Sequence, residues 1–524
     1  MSYDTFDSVL TRTCEKFGDR TAIRFHDRSV TYHDLLDESR ALAAALFELG
    51  VGRDDRVALM LSNRPEYVVA NLAIPAAGGI WVPLNDMLGV GDLEYMLSDS
   101  HARFAVVGPN FADAIADLEA AVPSLEHVIL VGDADPDLDR ITCHRYRHLL
   151  AQYEGPPPIE NDPSDVVAQY YTGGTTGRPK GVLHSHNNFV LNLYSHVMEL
   201  DIQAERMLLM TPLTHSAGLF AFAGLLRGST VFLSQGFDAA EALRSIEREE
   251  ITWTFMVPTM IYRVLDHPAL ESTELSSLET LTYGAAPMTQ ERITSGLDAF
   301  GPVFQQFYGQ TEIPNLITVL TKADHVRATE EGREELLGSA GRPVTMGDVK
   351  IVDLETREEV PAGTDGEILA TAPYTLERYY NRPAKNVETF DNGWVRTGDI
   401  GRIGARGYVH LLDRDSDLII SGGMNVYSTE VEDVIEEHDH VSQCAVIGVP
   451  HDDWGEAVRA LVIPYDETAV SDRELLEFCR TRLAEYKRPK RIEFVDSLPE
   501  TPYGKIDKKA LREPYWEGET RSIH

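Results

Sequence analysis

YYTGGTTGRPKGV, residues Tyr170 to Val182, carries an apolar strand-like stretch into four glycines, three threonines and one lysine. Glycines let a backbone come close to a polyphosphate. Threonine hydroxyls and uncommitted N–H groups donate to its oxygens, and Lys180 adds charge. The candidate phosphate contacts are Thr172, Gly173, Gly174, Thr175, Thr176, Gly177 and Lys180. This is not the common nucleotide loop, because Lys180 precedes Gly181 and no Ser or Thr follows it. No GxGxxG occurs, which speaks against a dinucleotide site. A purely structural turn would have little use for so many hydroxyls.

The flanks set the fold class. Arg56 to Leu61 reads as a buried strand and Arg64 to Ala77 as the helix after it. Val166 to Thr172, Thr252 to Val257 and Leu278 to Tyr283 are further apolar runs ending in turn residues. This alternation predicts an α/β domain with layered, largely parallel sheets. From Gly366 the text changes to short strands with glycine turns, GEILAT and GYVHLL, which suggests a small β-rich unit. After the charged run Asp413 to Asp417, helix and strand alternate again, predicting a smaller α+β domain. The boundaries are a large domain over 1–413, a hinge at 414–417 and a small domain over 418–524. Pro156 to Pro163, with four prolines, reads as a linker.

Further motifs follow the loop in a fixed order: PLTHSAG (Pro212 to Gly218), YGAAP (Tyr283 to Pro287), QFYGQTE (Gln306 to Glu312), RTGD (Arg396 to Asp399), DRDSDLIISGGMNVYSTEVE (Asp413 to Glu432), WGE (Trp454 to Glu456) and PETPYGKI (Pro499 to Ile506). Together they resemble the adenylate-forming superfamily: acyl-CoA synthetases, aryl-CoA ligases, luciferases and peptide-synthetase adenylation domains. The run looks most like an AMP-forming fatty acyl-CoA synthetase.

That resemblance implies ATP, Mg²⁺ and coenzyme A as cosubstrates and a small carboxylic acid as partner. It implies that Tyr308 stacks on adenine, that Thr311 binds the α-phosphate and that Glu312 holds the magnesium. A hydroxyl next to a carboxylate suits a hard cation bridged to phosphate. Gly284, Ala285, Ala286, Gly309 and Gln310 fall within the same nucleotide-binding motifs. Asp399, helped by Arg414, would accept from the ribose hydroxyls. Lys505 would reach between carboxylate and α-phosphate as negative charge builds there. His215 would shape the acyl pocket near the carboxylate, although a lone His on an apolar segment is more often a core residue. Ser421, Gly422 and Gly423 would move in beside the pantetheine once the small domain turns.

Some positions depart from the family pattern. Gly173 stands where a phosphate-binding Ser is usual, Ser416 where the hinge carries Asp or Lys, and Met424 where Glu is common. His184 and His186 read as helix-start residues, with no zinc expected. THSAG lacks the glycine two residues before Ser216 that a hydrolase elbow needs. No Asp or Glu occurs from Met207 to Phe237, so a buried ammonium there would lack a partner, which argues against an amino acid. Acetate-type enzymes carry a Trp where this chain has Gly309. With Ala217, Gly218, Ala221 and Gly284 to Ala286, the expectation is room for a medium- to long-chain fatty acid, with Phe220 and Phe222 read as apolar lining or simply as core. An aryl acid, or transfer to a carrier protein, is the alternative.

The formal net charge is −37, which excludes a nucleic-acid binder or an anionic-membrane surface as the natural reading. Four scattered cysteines form no CxxC pair and fit a reduced, cytoplasmic setting. No signal peptide and no transmembrane segment is read, and a homodimer is compatible. Lysines number 10 against 37 arginines, and Lys487, Lys490, Lys505, Lys508 and Lys509 make half of them, an expected anion-binding patch. The acidic, lysine-poor surface has two readings, adaptation to high salt or a GC-rich genome. Activity and melting temperature measured against KCl separate them. Adaptation predicts that molar KCl preserves or raises both, whereas codon bias predicts a low-salt optimum and collapse above it.

Overall fold

The structure is a computed structural model that describes residues 4–172, 178–286, 288–451, 454–465, 470–501 and 506–516. Two large sheets form the first unit. One has eight strands in the order Arg378–Tyr379, Gly181–Ser185, Val166–Tyr171, Ile80–Leu84, Arg56–Met60, Phe104–Val107, His127–Leu130, Thr142–Arg145. The other has nine, and its centre runs Phe304–Tyr308, Thr280–Gly284, Trp253–Met256, Arg206–Leu209, Thr230–Leu233, all parallel. Their strands are near-continuous apolar runs such as IWVPL and FAVV, as burial on both faces requires.

Aromatic packing joins the two layers. Trp81 of the eight-stranded sheet meets Phe6 and Phe189, both on helices, at ring distances of 5.1 Å. Phe6 then meets Phe222, on the helix Ser216–Arg227, at 5.2 Å. Such pairs add about 0.5–1.5 kcal/mol each beyond area burial. Phe222 is therefore an inter-sheet core residue, the second of the two readings its sequence allows.

A third sheet, from Asp348–Val352 to Val409–Arg414, is antiparallel and carries RTGD within the strand Trp394–Ile403. A fourth sheet, built from Ile419 onward, has Val441–His451 paired with Gly455–Pro464 under the helices Ser428–Glu436 and Asp472–Arg482. No described helix is long and apolar enough to cross a membrane.

Two of the five lysines of the expected patch are held in ion pairs. Lys508 is nearly buried, bonded to Glu432 at 2.7 Å and Ser428 at 2.7 Å. Burial opposes its charge, but Glu432, Asp413 and Asp417 hold its pKa above the usual lysine value. Lys487 pairs with Glu430 at 2.6 Å. Lys490 is exposed, its ammonium 3.9 Å from the Trp454 ring centre. Lys505 lies outside the described residues.

Buried ionisable groups push the two parts of the molecule in opposite directions. Burial lowers His184, His196 and His325 to about 4. Their folded values lie below the unfolded one, so the stability they contribute is present above pH ~6.5 and lost as pH falls toward 4. In the small unit desolvation, with Glu432 and Asp433 beside it, raises the half-buried Glu436 to about 8. The stability it contributes is present below the unfolded carboxylate pKa of about 4 and lost as pH rises toward 8. Hydrogen exchange, corrected for intrinsic rates, is expected to show opposite responses on going from pH 8 to pH 5. The strands beside His184 should lose protection while the helix Ser428–Glu436 gains it. A common direction for both would refute this.

Candidate active site

The Gly-rich stretch closes a β-hairpin: Val166–Tyr171 pairs antiparallel with Gly181–Ser185, Tyr171 opposite Gly181. It therefore joins two strands of one sheet, not a strand to a helix. Residues 173–177, which include the candidates Gly173, Gly174, Thr175, Thr176 and Gly177, lie outside the described residues. Its two ends are fixed. The Thr172 amide donates to the Lys180 carbonyl at 3.1 Å, and the Lys180 amide to Thr172 Oγ1 at 3.3 Å. Tyr95 donates its hydroxyl to the Pro179 carbonyl at 2.9 Å, and the Arg178 guanidinium lies 5.0 Å from the Tyr95 ring centre. Burial depresses the Lys180 ammonium, and the charge of Glu312 works against that depression.

QFYGQTE leaves the carboxyl end of Phe304–Tyr308, next to Gly284 at the end of Thr280–Gly284. Sites of open α/β sheets form at such ends. Here a carboxylate gathers three donors. Asp399 Oδ2 accepts the Tyr308 hydroxyl at 2.6 Å and Gln310 Nε2 at 2.7 Å, and Oδ1 faces Arg414 Nε at 3.3 Å. Gln310 Nε2 also donates to the Thr397 carbonyl at 2.8 Å. Burial, with Asp399 beside it, raises the Tyr308 phenol well above its ordinary pKa, so it stays a donor.

The segment carrying Thr311 and Glu312 is pinned from three sides. Glu312 Oε1 accepts the Tyr379 hydroxyl at 2.6 Å, and the Glu312 carbonyl accepts the Leu376 amide at 2.8 Å. His184 Nε2 sits 2.9 Å from the Thr311 carbonyl and, being neutral, donates to it. His184 lies on the strand Gly181–Ser185, so the helix-start reading holds only for His186, the first residue of His186–Glu199. Asn315 Nδ2 donates to His196 Nε2 at 3.0 Å, and lies 3.4 Å from the Ser216 carbonyl. That contact draws in His215, half-buried just before the helix Ser216–Arg227. Asn63 holds the same loop by accepting from the Leu213 amide at 2.8 Å and donating to the Thr211 carbonyl at 2.8 Å.

The structure thus brings together Lys180, Thr311, Glu312, Tyr308, Gln310, Asp399, Arg414, Gly284 and His215. Ala285, at φ +69°, and Ala286 continue from Gly284. Ser421 is buried, whereas Gly422 and Gly423 form an exposed turn at φ +60° and +79°, where glycine is favoured. Sequence reasoning missed Tyr379, Asn315, Asn63 and the positioning role of His184. Each acts on a residue 67 to 150 positions away, and no local pattern marks such a partner.

One expectation is overturned. A Cβ on Gly309 would not face open acyl space. It would overlap the backbone carbonyl group of Asn315 and lie 2.7 Å from its Cα. Gly309 serves the turn that lets Asn315, at φ +60°, fold back on it. Gly309→Ala and Gly309→Trp are expected to lower kcat/KM in parallel for acetate, benzoate and laurate, with about 1–3 kcal/mol of overpacking strain. A kcat/KM profile against acid size checks this. A variant that spares acetate while losing the longer acids would return Gly309 to the acyl pocket.

Comparison with known proteins identifies the family. The AMP-binding enzyme family matches residues 10–380, and the AMP-binding enzyme C-terminal domain matches residues 430–505. Feruloyl-CoA synthase of an Amycolatopsis species is 38% identical, covering 94% of this chain and 95% of that one. Medium/long-chain-fatty-acid–CoA ligase FadD8 of Mycobacterium tuberculosis is 35% identical, covering 98% of this chain and 91% of its own. The structure of amide bond synthetase McbA from Marinactinospora thermotolerans superposes with a TM-score of 0.87 at 32% identity, over 97% of this chain and 99% of that one. The chain belongs to the AMP-binding enzymes, the adenylate-forming superfamily of acid–thiol ligases.

Proposed function

We propose that this enzyme converts a carboxylic acid, ATP and CoA into acyl-CoA, AMP and pyrophosphate through an acyl-adenylate. The observation that carries the reading is the convergence of Lys180, Thr311, Glu312 and the Asp399 clamp at the carboxyl ends of neighbouring strands. The adenine stacks on the Tyr308 ring. The ribose hydroxyls donate to Asp399, whose carboxylate has about four acceptor sites and already meets three donors, so they displace part of that clamp. Lys180 and the hairpin loop hold the β- and γ-phosphates, and the Thr311 hydroxyl donates to the α-phosphate.

Glu312 fits a hard cation: a carboxylate with one oxygen steadied by the Tyr379 phenol presents the other. Magnesium bound there would neutralise phosphate charge. As the substrate carboxylate attacks the α-phosphorus and pyrophosphate leaves, the Lys505 ammonium meets the negative charge growing between them. His215 borders the acyl carboxylate.

The small domain then turns about residues 414–417, Lys505 withdraws, and the Ser421–Gly423 turn comes beside the thiol, which attacks the acyl carbon and releases AMP. In the present arrangement the small domain rests against the large one through Arg292, next to the Tyr262 and Tyr465 rings, and through Tyr427 and Asp365 at 3.4 Å. The Ser416 carbonyl accepts Arg512 at 3.0 Å, so the pivot is held by the helix Lys508–Trp516.

The lack of a buried acid from Met207 to Phe237 points to an acid without an amino group. The run of motifs and the FadD8 likeness support a medium- to long-chain fatty acid. The likeness to feruloyl-CoA synthase supports an aryl acid as the second reading. Pyrophosphate release over a panel of acids, with and without CoA, tests the function. Acid-dependent pyrophosphate exchange without CoA-dependent turnover would indicate a carrier protein as acceptor. Lys505→Ala is expected to cut acyl-adenylate formation at least about 10²-fold while sparing thioester formation from supplied acyl-adenylate. Equal damage to both half-reactions would sink the two-position scheme.

A further inference from the structure

The helix Val90–Ser100 reaches both ends of the Gly-rich loop. Its Tyr95 and Asp99, four residues apart, share one face. At the entry end, Tyr171 closes the strand Val166–Tyr171. Its hydroxyl lies 3.0 Å from Asp99 Oδ2 and 3.1 Å from the Met96 carbonyl. At the exit end, the Tyr95 hydroxyl donates to the Pro179 carbonyl at 2.9 Å, directly before Lys180. The Tyr95 ring also carries the Arg178 guanidinium.

Arg382 joins these two helix residues. Its Nη2 donates to Asp99 Oδ1 at 2.5 Å and to the Tyr95 hydroxyl oxygen at 3.1 Å. That hydroxyl accepts from the cation and donates onward to Pro179, so each bond polarises the next. Arg382 is fixed relative to Glu312 as well. Tyr379, which bonds to Glu312 Oε1, stands three residues before it. The Tyr379 amide donates to Asn386 Oδ1 at 2.7 Å, and its carbonyl accepts Asn386 Nδ2 at 3.1 Å. The Tyr380 amide donates to the Gly181 carbonyl at 2.8 Å. The turn leading into the helix Pro383–Thr389 is thus closed by its own bonds. One short segment meets the Glu312 carboxylate at one end and the frame of the loop at the other.

We infer that Arg382 is a positioning residue, which through Asp99 and Tyr95 sets the exit of the loop, and Lys180 with it, in register with Glu312. This rests on the ligase reading, which gives Lys180 to the phosphates and Glu312 to magnesium, and adds a residue to it. The test compares Arg382→Ala, Tyr95→Phe and the double variant of the full-length enzyme, using the acid it turns over best. Each single variant is expected to raise the KM for ATP in pyrophosphate release about 10-fold, the scale of one hydrogen bond to a charged group. Thioester formation from supplied acyl-adenylate and CoA should stay unchanged, because no pyrophosphate is held in that step. The double variant should be no worse than the worse single one, since both break the same chain. Tyr95→Phe keeps the ring and guards against misfolding. An unchanged KM for ATP in Tyr95→Phe, additive losses, or equal damage to both half-reactions would overturn the inference and leave the ligase reading standing. An unaltered enzyme that releases no pyrophosphate with any acid would overturn both.

Discussion

The Asp399 carboxylate is the joint on which the site depends. It is nearly buried, so it needs donors, and those donors come from two distant parts of the chain. Tyr308 and Gln310 bring the end of the nine-stranded sheet, Asp399 itself brings the third sheet, and Arg414 brings the residue where the fourth begins to separate. The attraction of Asp399 holds Arg414 more firmly charged than usual. Asp399 thus ties the end of the nine-stranded sheet to Arg414, the last residue of the strand Val409–Arg414.

Around that joint the polypeptide uses neutral groups to place charged ones. His184, His196 and the Tyr379 phenol are all buried, and burial keeps each uncharged near neutral pH. A buried charge in their place would compete for the phosphate oxygens or for Glu312. As neutral donors and acceptors they orient the loop without altering its charge. The ionisable groups that remain free to act, Lys180 and Glu312, stay at the half-buried surface of the site. The small domain follows a different logic. Its helix Ser428–Glu436 keeps Glu436 half-buried beside Glu432 and Asp433, and desolvation raises its pKa to about 8.

The helix Ser216–Arg227 connects these themes. Its first turn is tied to the loop of Thr311 through Asn315, and its apolar body packs into one continuous core. Phe222 meets Phe6 and Phe189, and Phe220 meets Trp253, Phe255 and Phe307. Two aromatic residues a half-turn apart thus tie the helix to both large sheets.

By itself the sequence determined the class of fold, the order of the motifs and the chemistry they bring. Apolar runs at Arg56–Met60, Val166–Tyr171 and Trp253–Met256 are strands because near-continuous hydrophobicity over five or six residues suits a sheet buried on both faces. The glycines, threonines and Lys180 suit polyphosphate because those groups do so in any loop. Whatever depends on which surfaces meet was decided only by the tertiary structure. The phosphate loop closes a hairpin, and Lys508 leaves the expected anion patch for a buried pair with Glu432. Gly309 is a glycine because Asn315, six residues on, folds back against it. Tyr379 reaches Glu312 because a two-residue strand, Arg378–Tyr379, joins the edge beside Gly181–Ser185. Composition and periodicity report how a residue meets solvent. They carry no record of the distant residue that a close-packed interior will set against it.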